Sequence, residues 1–173
     1  VSINQLKSTN LVGTLAVTGA ITLNGIALGE AEAAQGVNAM AILAIVGIDP
    51  TATGVIGGAA WLKVEDQASP NLTVKISRGA FLLSGVLGGI TSDTASLTGF
   101  AAPATNPRID IVQISTAGVI TRKAGTENAS PTAPTADANN LKLAEVYNRV
   151  GQTSVKDADD ASNGYITNTA DHL

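Results

Sequence analysis

The sequence predicts an all-β fold: a β-sandwich (jelly-roll-like) domain preceded by an N-terminal β arm and a short helical or buried segment. Three observations predict it. Short apolar runs recur from residue 61 onward with turn signals at close spacing, the pattern of a sandwich or barrel. Within several runs apolar and polar residues alternate with a period of two. The chain also carries 18 glycines and is 45% hydrophobic but only 3% aromatic, so its small side chains must pack with backbones close together or against partner subunits. Its 173 residues suit one compact domain, or one domain plus an accessory arm.

Residues 11–24 open the chain's structure. Gly13, Leu15, Val17, Gly19, Ile21 and Leu23 fall on one parity, and Thr14, Ala16, Thr18, Ala20 and Thr22 on the other. Asn24-Gly25 then signals a turn, because both residues accept positive φ, and Ile26 and Leu28 continue the apolar set. Glu30 to Ile48 is the helix candidate: it starts with acids and alanines and keeps Val37, Ala41, Ala44, Ile45 and Ile48 at helical spacing. Its run Ile42-Leu43-Ala44-Ile45-Val46 reads equally as a buried strand, and Asp49-Pro50 ends either element. Residues 1–50 thus form the arm, and the Gly-rich residues 51–60 read as a linker.

Residues 61–158 form the predicted sandwich. Leu62 and Val64 begin a strand, Ser69-Pro70-Asn71 turns, and Leu72, Val74 and Ile76 alternate with polar residues. Arg78-Gly79 breaks to an apolar run at Phe81 to Val86, and Gly88-Gly89 reads as the next turn. Ile109 to Ile114 carries apolar residues on both faces and so reads as a central strand. Thr116-Ala117-Gly118 is a hairpin turn into Val119-Ile120-Thr121, Asn128 to Asn140 is a loop, and Leu141 to Tyr147 is a further strand. Residues 159–173 read as a C-terminal tail, with His172 a disordered residue in it.

Composition excludes several chemistries. Ten Lys plus Arg against 14 Asp plus Glu give a net charge of −4, unsuited to nucleic acid. There is no cysteine and one histidine, which removes disulfides, thiolate sites and His-based triads. The longest apolar run, Ala39 to Ile48, is too short for a membrane-spanning helix of about 20 residues. The start Val1 to Lys7 lacks the build of a secretory signal, and Val1 reads as the residue left after an initiator Met, so synthesis in the host cytoplasm is expected.

Candidate chemistry is sparse. Asp157, Asp159 and Asp160 before Asn163-Gly164 suggest a calcium loop, but Ala161 and Ser162 stand where an acid and a glycine belong and no Glu closes it, so an acidic turn is preferred. Gly57-Gly58 and Gly88-Gly89 lack the residues of a phosphate loop. Asn71-Leu72-Thr73 and Asn128-Ala129-Ser130 match the glycosylation pattern by chance. Arg108 and Asp110 share one strand face and read as an ion pair fixing a strand end or a subunit contact, in preference to a ligand clamp. No catalytic, metal or cofactor residue is singled out, no cofactor is expected, and the chain is read as not an enzyme.

Several strings stand in a fixed order: Asn71-Leu72-Thr73-Val74-Lys75-Ile76, Gly79-Ala80-Phe81, Ala104-Thr105-Asn106-Pro107-Arg108-Ile109-Asp110-Ile111-Val112, Gly125-Thr126 to Pro131-Thr132-Ala133-Pro134, Leu141 to Tyr147, and a turn at Gly151. Together they resemble a module common in virion proteins of tailed bacteriophages, and the module covers a little over half the chain. The arm at 11–28 resembles the Thr/Gly/Leu β repeats of phage fibres. The short Asp-Glu-Arg or Asp-Arg-Arg string that usually ends the module is missing at Asp157 to Asn163, and residues after Gly164 find no match. The resemblance implies a β-sandwich in a homotrimeric, non-enzymatic virion component. A short chain with few charges suits a surface protein present in many symmetric copies. The expectation is therefore a capsid decoration (cement) protein on the virion exterior, its arm clamping the major capsid protein and its sandwich forming a knob. The alternative is a short tail fibre or baseplate subunit that binds host surface glycan through loops such as 88–105 and 128–140.

Overall fold

The computed structural model describes residues 21–23, 26–28, 48–49 and 51–173. The expected strand over 11–20 and the helix candidate, up to residue 47, lie outside the described residues. The chain divides into two compact units, Val1–Ile42 and Leu43–Leu173. In the first, β1 (Ile21–Leu23) and β2 (Ile26–Leu28) pair antiparallel, with Leu23 opposite Ile26 across Asn24-Gly25. The two short strands on either side of residues 24–25 thus pair as the sequence expects.

The second unit is all-β, with no helix among the described residues. Its strands are β3 (Gly54–Ile56), β4 (Val64–Glu65), β5 (Val74–Ile76), β6 (Gly79–Leu83), β7 (Val86–Ile90), β8 (Thr94–Leu97), β9 (Arg108–Ser115), β10 (Ile120–Lys123), β11 (Asn140–Asn148), β12 (Val155–Lys156) and β13 (Gly164–Asn168). They form a five-stranded sheet in the order β10-β9-β11-β13-β12 and two three-stranded sheets, β3-β6-β7 and β4-β5-β8. The pairing is antiparallel except between β12 and β13.

All three sheets supply one core. The five-stranded sheet gives Val112, Ile114, Leu141, Val146 and Ile166, one small sheet gives Val55 and Phe81, and the other gives Val64, Val74 and Ile76. Strand β11 inserts a bulge between Lys142 and Ala144, so the successive residues Leu143 and Ala144 are both buried. Strand β9 is central, as its two apolar faces predict. Val112 and Ile114 enter the main core, whereas Ile111 and Gln113 are buried on the opposite face. The segment after β10 covers that face. A Cβ on Gly125 would fall on the Ile109 carbonyl oxygen, Asn128 N donates to Pro107 O at 3.0 Å, and Asp137 N donates to Gln113 Oε1 at 2.8 Å.

Four expectations are corrected. Residues 51–60 are not only a linker, because they contain β3, and Val55 is wholly buried in the core. Gly88-Gly89 is not a turn but lies inside β7. A Cβ on Gly88 would sit 2.5 Å from Phe81 Cζ, and one on Gly89 would sit 2.5 Å from Gly79 O, so both positions need glycine for close approach. The turn is Ser84-Gly85, where both residues have positive φ, 48° and 84°, as a two-residue hairpin turn of right-handed twist requires. Residues 159–173 are not a free tail. Strand β13 lies between β11 and β12 and buries Ile166. Beyond it, Val55 N donates to Asp171 O at 2.7 Å and Leu173 N to Val55 O at 2.9 Å, so residues 171–173 run parallel to β3, and His172 forms the bridge to Val55 in place of a disordered end.

Candidate functional site

Arg108 and Asp110 lie at the start of β9, and their groups are used within the chain. Asp110 is wholly buried. Its Oδ1 accepts from Arg108 Nε at 2.9 Å and Gly125 N at 2.9 Å, and its Oδ2 from Arg122 Nη1 at 2.7 Å. Arg108 Nη2 also donates to Ala101 O at 2.8 Å, and the Arg122 guanidinium lies 5.9 Å from the Phe100 ring centre. One carboxylate therefore ties β9, β10 and residues 99–101 together, which is the ion-pair reading. Next to it, the Glu127 carboxylate accepts from the backbone N–H groups of Ala104, Thr105 and Asn106 at 3.0, 3.0 and 3.2 Å. Those three bonds hold its carboxyl below the usual carboxylate range.

The acidic group is equally self-contained. Asp160 accepts from Lys156 Nζ, Asn163 Nδ2, and the N–H groups of Ser162 and Asn163, which together push its carboxyl far down. Asp159 accepts from Ala161 N and Arg149 Nη2, and Asp157 from Asp66 N. Among the described residues no three acids or histidines stand together as a metal site. Arg149 also lies over the stacked pair Tyr147–Tyr165, 5.1 and 5.3 Å from the ring centres. Asn71 and Asn128, the two sequon asparagines, use their side chains to accept from Thr73 N and Ser130 N in tight turns.

The open feature is elsewhere, at Trp61. The chain reaches it through Gly57, with φ 126°, and leaves through Leu62, a buried residue at φ 51°. A non-glycine residue in that region costs about 1–3 kcal/mol, so surrounding bonds must hold it. They do: Trp61 N donates to Gly58 O at 2.9 Å, and Ser77 Oγ donates to Ala60 O at 2.6 Å. The indole lies against Gly57, where a Cβ would come within 2.9 Å of the ring, and Gly79 leaves room for its Cβ. Beside it a groove of about 440 Å³ runs over Ala80, Gly88 and Gly89, walled by Trp61, Leu87 and Ile90, with Arg78 at its margin. Smaller hollows continue past Ser77 and Asp93 to Lys63, Glu65 and Lys75. Lys63 and Glu65 bond at 2.8 Å, which raises the lysine and lowers the carboxyl.

The sequence reading did not find this groove. A single Trp after Gly-Gly-Ala-Ala was the available signal, but nothing local reveals that β6 and β7 bring small residues opposite it. No family model matches this chain, and neither a curated protein nor a solved structure matches it.

Proposed function

We propose that this chain is a non-enzymatic structural subunit of a tailed-bacteriophage virion: a homotrimeric capsid decoration (cement) protein that clamps major capsid subunits. In this reading it is made in the host cytoplasm, sits on the capsid exterior, and displays a β-sandwich (jelly-roll-like) knob. The observation that carries the reading is the string Asn106-Pro107-Arg108-Ile109-Asp110, the most specific element of the resemblance. Several of its polar groups are turned to internal use: Asn106 N to Glu127, Pro107 O to Asn128 N, Arg108 to Asp110 and Ala101. A motif spent on locking a loop to a central strand supports a scaffold role over a catalytic one.

A second reading, a short tail fibre or baseplate subunit that binds host polysaccharide, is supported by half-exposed Trp61 next to the polar hollow of Ser77, Arg78 and Asp93. Gold-labelled antibody on intact virions, with copy number from gel densitometry, separates the two. Hundreds of copies over the head are expected. A few copies at the tail end would overturn the decoration reading and favour the second.

A further inference from the structure

The six large apolar side chains most exposed in the second unit are Trp61, Val86, Leu87, Val119, Val150 and Leu173. Three of them lie at the outer face of the small β3-β6-β7 sheet. Leu87 projects from that face opposite Leu82, Trp61 flanks the sheet beyond β3, and Leu173 lies over Gly54, whereas Val86, next to Leu87 on β7, points to the other face. Trp61 is 46% exposed, Leu87 43% and Leu173 39%. Between them the cross-strand pair Ala80 and Gly89 floors the groove with almost no side chain. Exposed apolar side chains beside a preset cavity are one form of protein-binding surface, and Trp and Arg are residue types that dominate binding energy in such surfaces.

The charge pattern points the same way. Among the described residues every lysine and arginine pairs with a carboxylate except Arg78. Arg78 is exposed and lines the groove, its N donating to Asp93 Oδ1 at 2.8 Å, so an occupant that brings a carboxylate alongside apolar groups would complement its guanidinium. A second copy of this net-acidic chain supplies both. Asp171 is exposed, pairs with no cation among the described residues, and borders the same face next to Gly54. A saccharide would find one aromatic side chain over a floor of alanine and glycine, with few polar groups in the groove itself.

We propose that the outer face of the β3-β6-β7 sheet is the surface on which a second copy of this chain packs, with Trp61 and Leu87 around its apolar centre and Arg78 meeting a carboxylate of the neighbour. The inference rests on the homo-oligomer reading above and assigns its interface.

Trp61 is the chain's single tryptophan, so its fluorescence reports on this face alone. The test is sedimentation equilibrium of the full chain with emission spectra over the same concentrations, repeated for Leu87→Ser and Arg78→Glu. The expected result is an oligomer whose Trp61 emission shifts to the blue as it assembles. Each variant should raise the dissociation constant at least tenfold while keeping the wild-type circular dichroism and urea midpoint. An oligomer that both variants leave intact would overturn the assignment of this face and leave the homo-oligomer standing. A chain monomeric at every concentration would overturn both. A monomer whose Trp61 emission responds to added polyuronate would put an acidic glycan in the groove instead.

Discussion

Replacing Asp110 by Asn removes one charge and almost no volume. The wild-type carboxylate is wholly buried and accepts three hydrogen bonds, two of them from guanidinium groups whose side chains are only 14% and 23% exposed. The amide retains one acceptor oxygen and turns its NH2 group toward the arginine on the other side, Arg122 or Arg108, which can only donate. Arg108 and Arg122 are then left largely buried without a counter-charge. Breaking a buried pair from one side costs about 3–5 kcal/mol. For a unit the size of Leu43–Leu173 that is a fall in Tm of about 11–18 °C. Urea unfolding followed by far-UV circular dichroism gives the free energy directly, and an unchanged slope would show that compactness is preserved. A loss below about 1 kcal/mol would refute the reasoning, because it would mean that water reaches the site and screens the pair. The companion variant Arg108→Met, Asp110→Leu, Arg122→Met removes all three charges together and should cost far less than Asp110→Asn alone, since no ion is stranded.

Further outcomes follow from other parts of the fold. Gly88→Ala should destabilise by about 1–3 kcal/mol by pressing on the Phe81 ring, and Gly89→Ala by more, since it meets the Gly79 carbonyl instead of a side chain; thermal melts of the two will rank them. Phe81→Ala should cost about 3–5 kcal/mol in urea unfolding, because its ring sits in the core under Gly88. The Glu127 carboxyl is depressed in the folded state, so its contribution is complete above the ordinary glutamate pKa of 4.5 and is lost as pH falls through the lower folded value. The protection factors of the Ala104–Asn106 amides, exchange corrected for its intrinsic pH dependence, should therefore fall at acid pH, and Glu127→Gln should lower them already at pH 7; equal exchange in both proteins at pH 7 would count against the tie.

Much of the second unit was legible because its signals are local. Strand β9, its hairpin to β10 and the strand Leu141 to Tyr147 announce themselves by alternation, β-branched residues and turn chemistry within a few positions. What escaped depends on distant partners. Val55 and Ile56 are two apolar residues among Thr, Ala and Gly, and they become a strand with Val55 in the core only because Phe81 lies opposite and residues 171–173 beside it. Ile166 is the one strong apolar signal in β13, too little to mark a strand that pairing with β11 and β12 then fixes. Gly88-Gly89 has the composition of a turn, and only the approach of Phe81 from β6 shows why glycine is needed within a strand. The ion pair at Arg108–Asp110 could be foreseen from strand parity. Arg122 and Gly125, which complete it, lie 12 and 15 residues further on and could not.

The pairing of residues 171–173 alongside β3 has a mechanical consequence. The two segments run in the same direction, joined through both the N–H and the C=O of Val55, with Leu173 seated over Gly54. Tension applied between the chain ahead of β3 and Leu173 pulls these strands lengthwise past each other. The bonds then bear the load together and do not open one at a time like a zip. A pulling force along the chain meets this shear contact before it reaches the core, so the unit should rupture in one event at higher force when drawn from residues 51 and 173 than when drawn across the Ser84-Gly85 hairpin, a difference that single-molecule extension would read.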